Sequence, residues 1–64
     1  MAFGKNLKES REKQGCSQTE LANRLNVTQA TVAIWENGNA LPRANKLPDI
    51  ARELKCSVND LFED

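Results

Sequence analysis

Apolar residues recur along this chain at helical spacing and never at the two-residue period of a half-buried strand. Phe3, Leu7 and Arg11 lie four apart, which predicts an amphipathic helix that stops at Gly15. Ser17-Gln18-Thr19-Glu20 has the S-x-x-E spacing of a capping box, in which serine and glutamate side chains take up backbone N–H groups left over at a helix start. Leu21, Ala22 and Leu25 form one face of the short helix it opens, and Asn26 suits the left-handed turn that closes it. Thr28 caps a third helix with Val32 and Trp35 on its apolar side and Asn37-Gly38 as its stop. Residues 38–43 form a loop punctuated by Pro42. Leu47, Ile50, Ala51 and Leu54 predict a fourth helix, with Pro48 in its first turn, where a helix accepts proline. Ser57-Val58-Asn59-Asp60 opens a last short helix carrying Leu61 and Phe62. The expectation is one all-α domain of five short helices over residues 1–64.

The third helix has an odd outer face. Gln29, Ala30, Thr31, Ala33 and Ile34 are too polar to bury together and too uncharged for an ordinary solvated face. Composition narrows what that face is for. The chain has no histidine and no tyrosine, and its three glycines form no phosphate-cradling loop. No cysteine has a base beside it, so an enzyme is not expected. Cys16 and Cys56 each adjoin a serine and read as two reduced core thiols, and two cysteines without histidine cannot complete a zinc site. No cofactor, metal or small-molecule ligand is expected. No apolar run suits a signal peptide or a membrane span, which points to a cytoplasmic protein. Nine basic and nine acidic side chains cancel overall, but not locally. Residues 1–48 carry +3 and residues 49–64 carry −3, so an acidic polymer would be drawn to the first half.

The junction of the second and third helices carries the most information. Helices over 17–25 and 28–36, joined by Leu25-Asn26-Val27, have the spacing of a helix-turn-helix, with Ala22 small enough for close approach of the two axes. The stretch SQTELANRLNVTQATVAIWENG resembles the helix-turn-helix of Cro/phage-repressor (Xre-like) transcriptional regulators, and the likeness extends through Leu7 and Arg11, Pro42, and IARELKCSVNDLF. The resemblance implies a compact five-helix, lambda-repressor-like domain that puts its third helix into the major groove of double-stranded DNA. On that footing Gln29 is placed to bond adenine through N6 and N7, Ala30 and Ile34 to meet thymine methyls, and Thr31 to flank them. Trp35 takes the family's buried position, which leaves Ile34 exposed. The resemblance makes Gln18 a phosphate clamp that also steadies Gln29, and the free amides at its helix start favour the same role. Thr28, Asn37 with the loop amides behind it, and Arg43 complete the expected phosphate contacts, Arg43 reaching either a phosphate or the minor groove. Lys8 and Lys46 read as solvated charges. By the same resemblance Arg11 and Glu36 form a structural ion pair that braces the third helix on the first. Two departures stand out: Asn39-Ala40-Leu41 lacks the basic residues many relatives carry there, and Asn26 stands where glycine is usual.

One recognition helix reads too few base pairs to define a site, so a homodimer on a palindromic operator is expected, acting as a repressor. The family dimerises through the C-terminal end of the domain, which makes Phe62 the expected dimer contact. Asp60, Glu63 and Asp64 would gather like charge at that seam, and folding back on the first helix near Phe3 is the other fate open to Phe62. A different use of the same fold, as an antitoxin-like or other protein-interaction module with weak or no DNA binding, is supported by the zero net charge and the base-poor loop.

Overall fold

A computed structural model describes residues 2–63. Among them the chain forms helices α1 (Phe3–Lys13), α2 (Gln18–Leu25), α3 (Gln29–Asn37), α4 (Leu47–Glu53) and α5 (Val58–Phe62), with a 3-10 turn over Ala44–Lys46 leading into α4. No strand occurs among the described residues, as the missing two-residue period requires. Asp64, expected beside the C-terminal seam, lies outside the described residues.

The starts of these helices follow their capping residues. Ser17 accepts the Glu20 N–H at 3.0 Å while the Glu20 carboxylate accepts the Ser17 N–H at 2.9 Å, the reciprocal bonding that the S-x-x-E spacing anticipates. Ser57 and Asp60 repeat the device at α5. Pro48 sits in the first turn of α4, where its missing N–H costs nothing.

The ends share one motif. After α1, α2, α3 and α4 the chain turns left-handed at Gly15, Asn26, Gly38 and Lys55. The following N–H then reaches back five residues in each case: Cys16 to Arg11, Val27 to Ala22, Asn39 to Ile34 and Cys56 to Ala51, at 3.0–3.2 Å. Asn26 tolerates this backbone, whereas Lys55 holds it without glycine's freedom or asparagine's local bonding. The expected stop of α1 at Gly15 is that turn, and the regular helix ends two residues earlier.

Every helix gives the core at least one fully buried side chain: Phe3 and Leu7, Leu21, Val32, Ile50 and Leu61. Burial of each contributes roughly 1.5–3 kcal/mol. Cys16 lies in this core and Cys56 is packed against its edge, both as free thiols, and burial pushes the Cys56 thiol up from its ordinary value. Ala22 is almost fully buried in this core, and its carbonyl oxygen accepts the Val27 N–H at the turn between α2 and α3. α1 and α3 approach closely at Gly4. A Cβ on Gly4 would stand 2.5 Å from the Glu36 carbonyl oxygen and 2.7 Å from that of Trp35, so α1 and the last turn of α3 touch backbone to backbone. The Asn6 side-chain amide donates to the carbonyl oxygens of Asp60, Leu61 and Glu63, closing the C-terminal end of α5 on α1. Phe62 leans on Phe3, with ring centroids 5.0 Å apart and planes inclined by 38°. Even so, 38% of Phe62 remains exposed.

Candidate nucleic-acid interface

α3 is held between α1 and α2 by the face that carries Val32 and Trp35, and it turns Gln29, Ala30 and Ile34 outward. Ile34 is 42% exposed, as expected from the burial of Trp35 beside it. A single isoleucine at this exposure is ordinary for a protein surface, and it is accessible to an apolar partner.

Behind that face runs a connected line of polar side chains. Arg11, from the last turns of α1, donates from Nε to Glu36 Oε2 at 2.7 Å and from Nη2 to Glu36 Oε1 at 3.2 Å. Its Nη1 donates to the Cys16 carbonyl oxygen at 2.7 Å, tying down the turn before α2. The Glu36 side chain is only 4% exposed. Its hydrogen bond pushes the Arg11 guanidinium above its ordinary value, outweighing the opposing effect of burial. Gln18 Nε2 donates to Glu36 Oε1 at 2.9 Å, and Gln29 Nε2 donates to Gln18 Oε1 at 2.6 Å. The expected brace and the expected steadying of Gln29 thus form one structure, joined at Gln18.

The remaining candidates are distributed around α3. Thr28 caps the helix by accepting the Thr31 N–H at 3.1 Å, and the two threonine hydroxyls lie 2.8 Å apart. That mutual bond consumes one of their two hydroxyl hydrogens. One remains, so donation to a phosphate from Thr28 and to a base from Thr31 exclude each other. Asn37 is exposed at the end of α3. The amides behind it are not all free, because Gly38 N–H bonds to the Trp35 carbonyl and Asn39 N–H to that of Ile34. The expected phosphate cradle is thereby reduced to the Asn37 side chain and the amides from Ala40 onward. Arg43 is exposed at the start of the 3-10 turn, while Pro42 before it is buried and anchors the loop. Lys46 departs from expectation. Its Nζ donates to the Leu25 carbonyl oxygen at 2.9 Å, so it caps α2 at the helix-turn-helix corner instead of standing free in solvent.

A protein-family model described as helix-turn-helix matches residues 7–61. The chain belongs to the Cro/Xre-like helix-turn-helix family. Solved structures place it among relatives of different sizes. The SOS-response transcriptional repressor LexA from Eubacterium rectale is 32% identical, with a TM-score of 0.90 over 98% of this chain and 67% of that one. The DNA-binding domain of the P22 C2 repressor is 22% identical, with a TM-score of 0.90 over 97% of this chain and 82% of that one, a likeness of fold. Hydroxypropylphosphonic acid epoxidase from S. wedmorenis is 36% identical, with a TM-score of 0.86 over 97% of this chain and 33% of that one. The helix-turn-helix chain therefore spans about a third of the length of that enzyme. A search of curated proteins returned no match. Within this family's fold, the amphipathic stripes, capping boxes and Asn26 corner are the parts that sequence spacing locates. Asn6 and Gly4 hold the same parts together without any spacing that marks them, and so does Lys46, which reads from sequence as a solvated charge. A glycine in the first turn of α1, where no turn demands one, was the only local sign among the three.

Proposed function

We propose that this protein is a sequence-specific DNA-binding transcriptional repressor, working in the cytoplasm as a homodimer that lays α3 of each subunit in the major groove of a palindromic operator. The observation that carries this reading is the anchoring of Gln29. An exposed glutamine at the first position of α3 is held by Gln18, which a buried ion pair holds in turn, and that single bond leaves its Oε1 and one N–H to pair with another group. That is the donor and acceptor pair that adenine N7 and N6 require. Ala30 and Ile34 add apolar contact for thymine methyls, and Thr31 lies at their flank. Gln18, Thr28, Asn37 and Arg43 position the backbone through phosphates. The P22 and E. rectale relatives are described as repressors, and the first of these matches through its DNA-binding domain.

Two copies are needed because one α3 covers only a few base pairs, and two-fold pairing sets half-sites about 34 Å apart. The residual exposure of Phe62, held in place by Phe3 and by the Asn6 cap on α5, suits an isologous contact at this end of the domain. Selection of bound duplexes from random DNA tests the proposal. It should return an inverted repeat with A·T pairs at the Gln29 positions. Arg43 is the one cationic phosphate contact assigned to each subunit, so log K should fall against log salt with a slope of about −2 per dimer. No enriched site, together with no salt-dependent retention on DNA, would overturn it.

A second reading is a domain that docks on protein. Its support is the likeness to a third of the epoxidase chain and the apolar Leu41, 48% exposed beside a groove lined by Phe3, Gly4 and Trp35. The salt titration separates the two readings.

A further inference from the structure

The line from Arg11 to Gln29 has a direction that its chemistry imposes. A carboxylate has no hydrogen to give, so every group against Glu36 must present N–H. Arg11 does so twice, and Gln18 does so through Nε2. With its nitrogen turned to Glu36, Gln18 has only its oxygen to offer Gln29, and Gln29 must therefore turn its own nitrogen inward. The two amides have four combined orientations. Turning Gln29 alone sets two carbonyl oxygens against each other. Turning Gln18 alone sets oxygen against carboxylate and NH2 against NH2. Turning both still opposes an oxygen to the carboxylate. One orientation survives, and in it Gln29 shows its remaining Nε2–H on the Gln18 side and Oε1 on the other.

Adenine displays N7 and the N6 donor side by side in a fixed order, and a glutamine matches both only with donor and acceptor in the corresponding order. We infer that Glu36 is a specificity-determining positioning residue: through Gln18 it fixes the amide polarity of Gln29, and so fixes which base Gln29 prefers. Glu36 touches no base itself. The inference rests on the reading of α3 as a groove-facing helix. A glutamine without this relay turns freely, presents either order, and loses discrimination while keeping its capacity to hydrogen-bond.

Two variants break the relay at different links. Gln18→Met removes the middle and leaves the ion pair. Glu36→Gln, made together with Arg11→Met so that no buried charge is stranded, leaves an amide that can face Gln18 either way. The first measurement needs no DNA: 15N relaxation of the Gln29 side-chain amide in the free, folded protein. The amide should be ordered in the parent, as mobile as other exposed glutamine side chains in Gln18→Met, and exchanging between two orientations in the double variant. Unchanged order in both would overturn the inference. The second measurement is fluorescence anisotropy on duplexes carrying the selected site, with the base pair facing Gln29 changed to each alternative. The parent's preference should fall about tenfold in both variants. Affinity for an unrelated duplex should fall about threefold or less in Gln18→Met, from its lost phosphate bond. Equal losses on every duplex, with the preference intact, overturn the inference and leave DNA reading by α3 standing. A parent with an ordered amide and no base preference anywhere contradicts the DNA reading itself, and the inference with it.

Discussion

Gly4→Ala should destabilise the fold, although glycine-to-alanine replacement inside a helix ordinarily helps. Alanine gains about 1 kcal/mol of helix propensity over glycine. Against that, the new Cβ would lie 2.5 Å and 2.7 Å from the carbonyl oxygens of Glu36 and Trp35, and 3.0 Å from the Glu36 carbonyl carbon. These are backbone atoms, so relief requires α1 to move away from the last turn of α3. Overpacking of this kind costs typically 1–3 kcal/mol, and a clash with rigid backbone belongs at the upper end. The net loss is about 2 kcal/mol. In a domain of this size each kcal/mol shifts Tm by roughly 4–8 °C, which puts the melting point about 8–16 °C lower. Thermal and urea unfolding followed by circular dichroism measure it. Gly15→Ala is the informative control, because a Cβ there meets nothing within 4 Å and the cost comes from φ +66° alone. That variant should lose about 1 kcal/mol. A Gly4→Ala protein as stable as the parent would refute the backbone contact between α1 and α3.

Arg11→Ala strands the Glu36 carboxylate, 4% exposed, and should cost about 3–5 kcal/mol by denaturant titration, enough to unfold much of a small domain. Lys46→Met should cost about 1 kcal/mol, because it removes the charge-assisted cap on Leu25 while keeping the aliphatic stem. The Glu20 carboxylate is held below its ordinary value of 4.5, first by the Ser17 backbone N–H. Its contribution is therefore present above pH 4.5 and lost as pH falls through the lower folded value, and Glu20→Gln should flatten that part of the acid limb of stability against pH. Phe62→Ala should lower the dimer fraction in sedimentation and weaken a full palindrome more than a half-site, whereas an unchanged dimer would move the interface elsewhere. With Asp60 and Glu63 near that seam, added salt should favour dimerisation while it weakens DNA binding.

Most of the helix starts and stops were legible because their causes are local. Ser17 and Glu20 are three residues apart, and Asn26 carries its own tolerance for the left-handed turn. The buried stripes follow from spacing for the same reason. What escaped notice depends on residues distant in the chain. Asn6 bonds to carbonyls more than fifty positions away, and Gly4 is shaped by the end of α3. Lys46 looks like any surface lysine until the Leu25 carbonyl is placed before it. Lys55 gave no warning of its left-handed backbone, since lysine has no preference for it. The Ala44–Lys46 turn is too short to show a period. At the candidate interface the separate ion pair and paired glutamines were anticipated by resemblance. Their union through Gln18 and Glu36, eighteen residues apart, was not.

The most direct test of base reading by α3 is the affinity of Gln29→Ala for the selected palindrome and for random duplex, measured at one salt concentration. Loss of a bidentate adenine contact should cost about 1–3 kcal/mol per site on the palindrome and far less on random DNA. Equal losses on the two duplexes would contradict it, and would leave Gln29 as a backbone contact that reads no base.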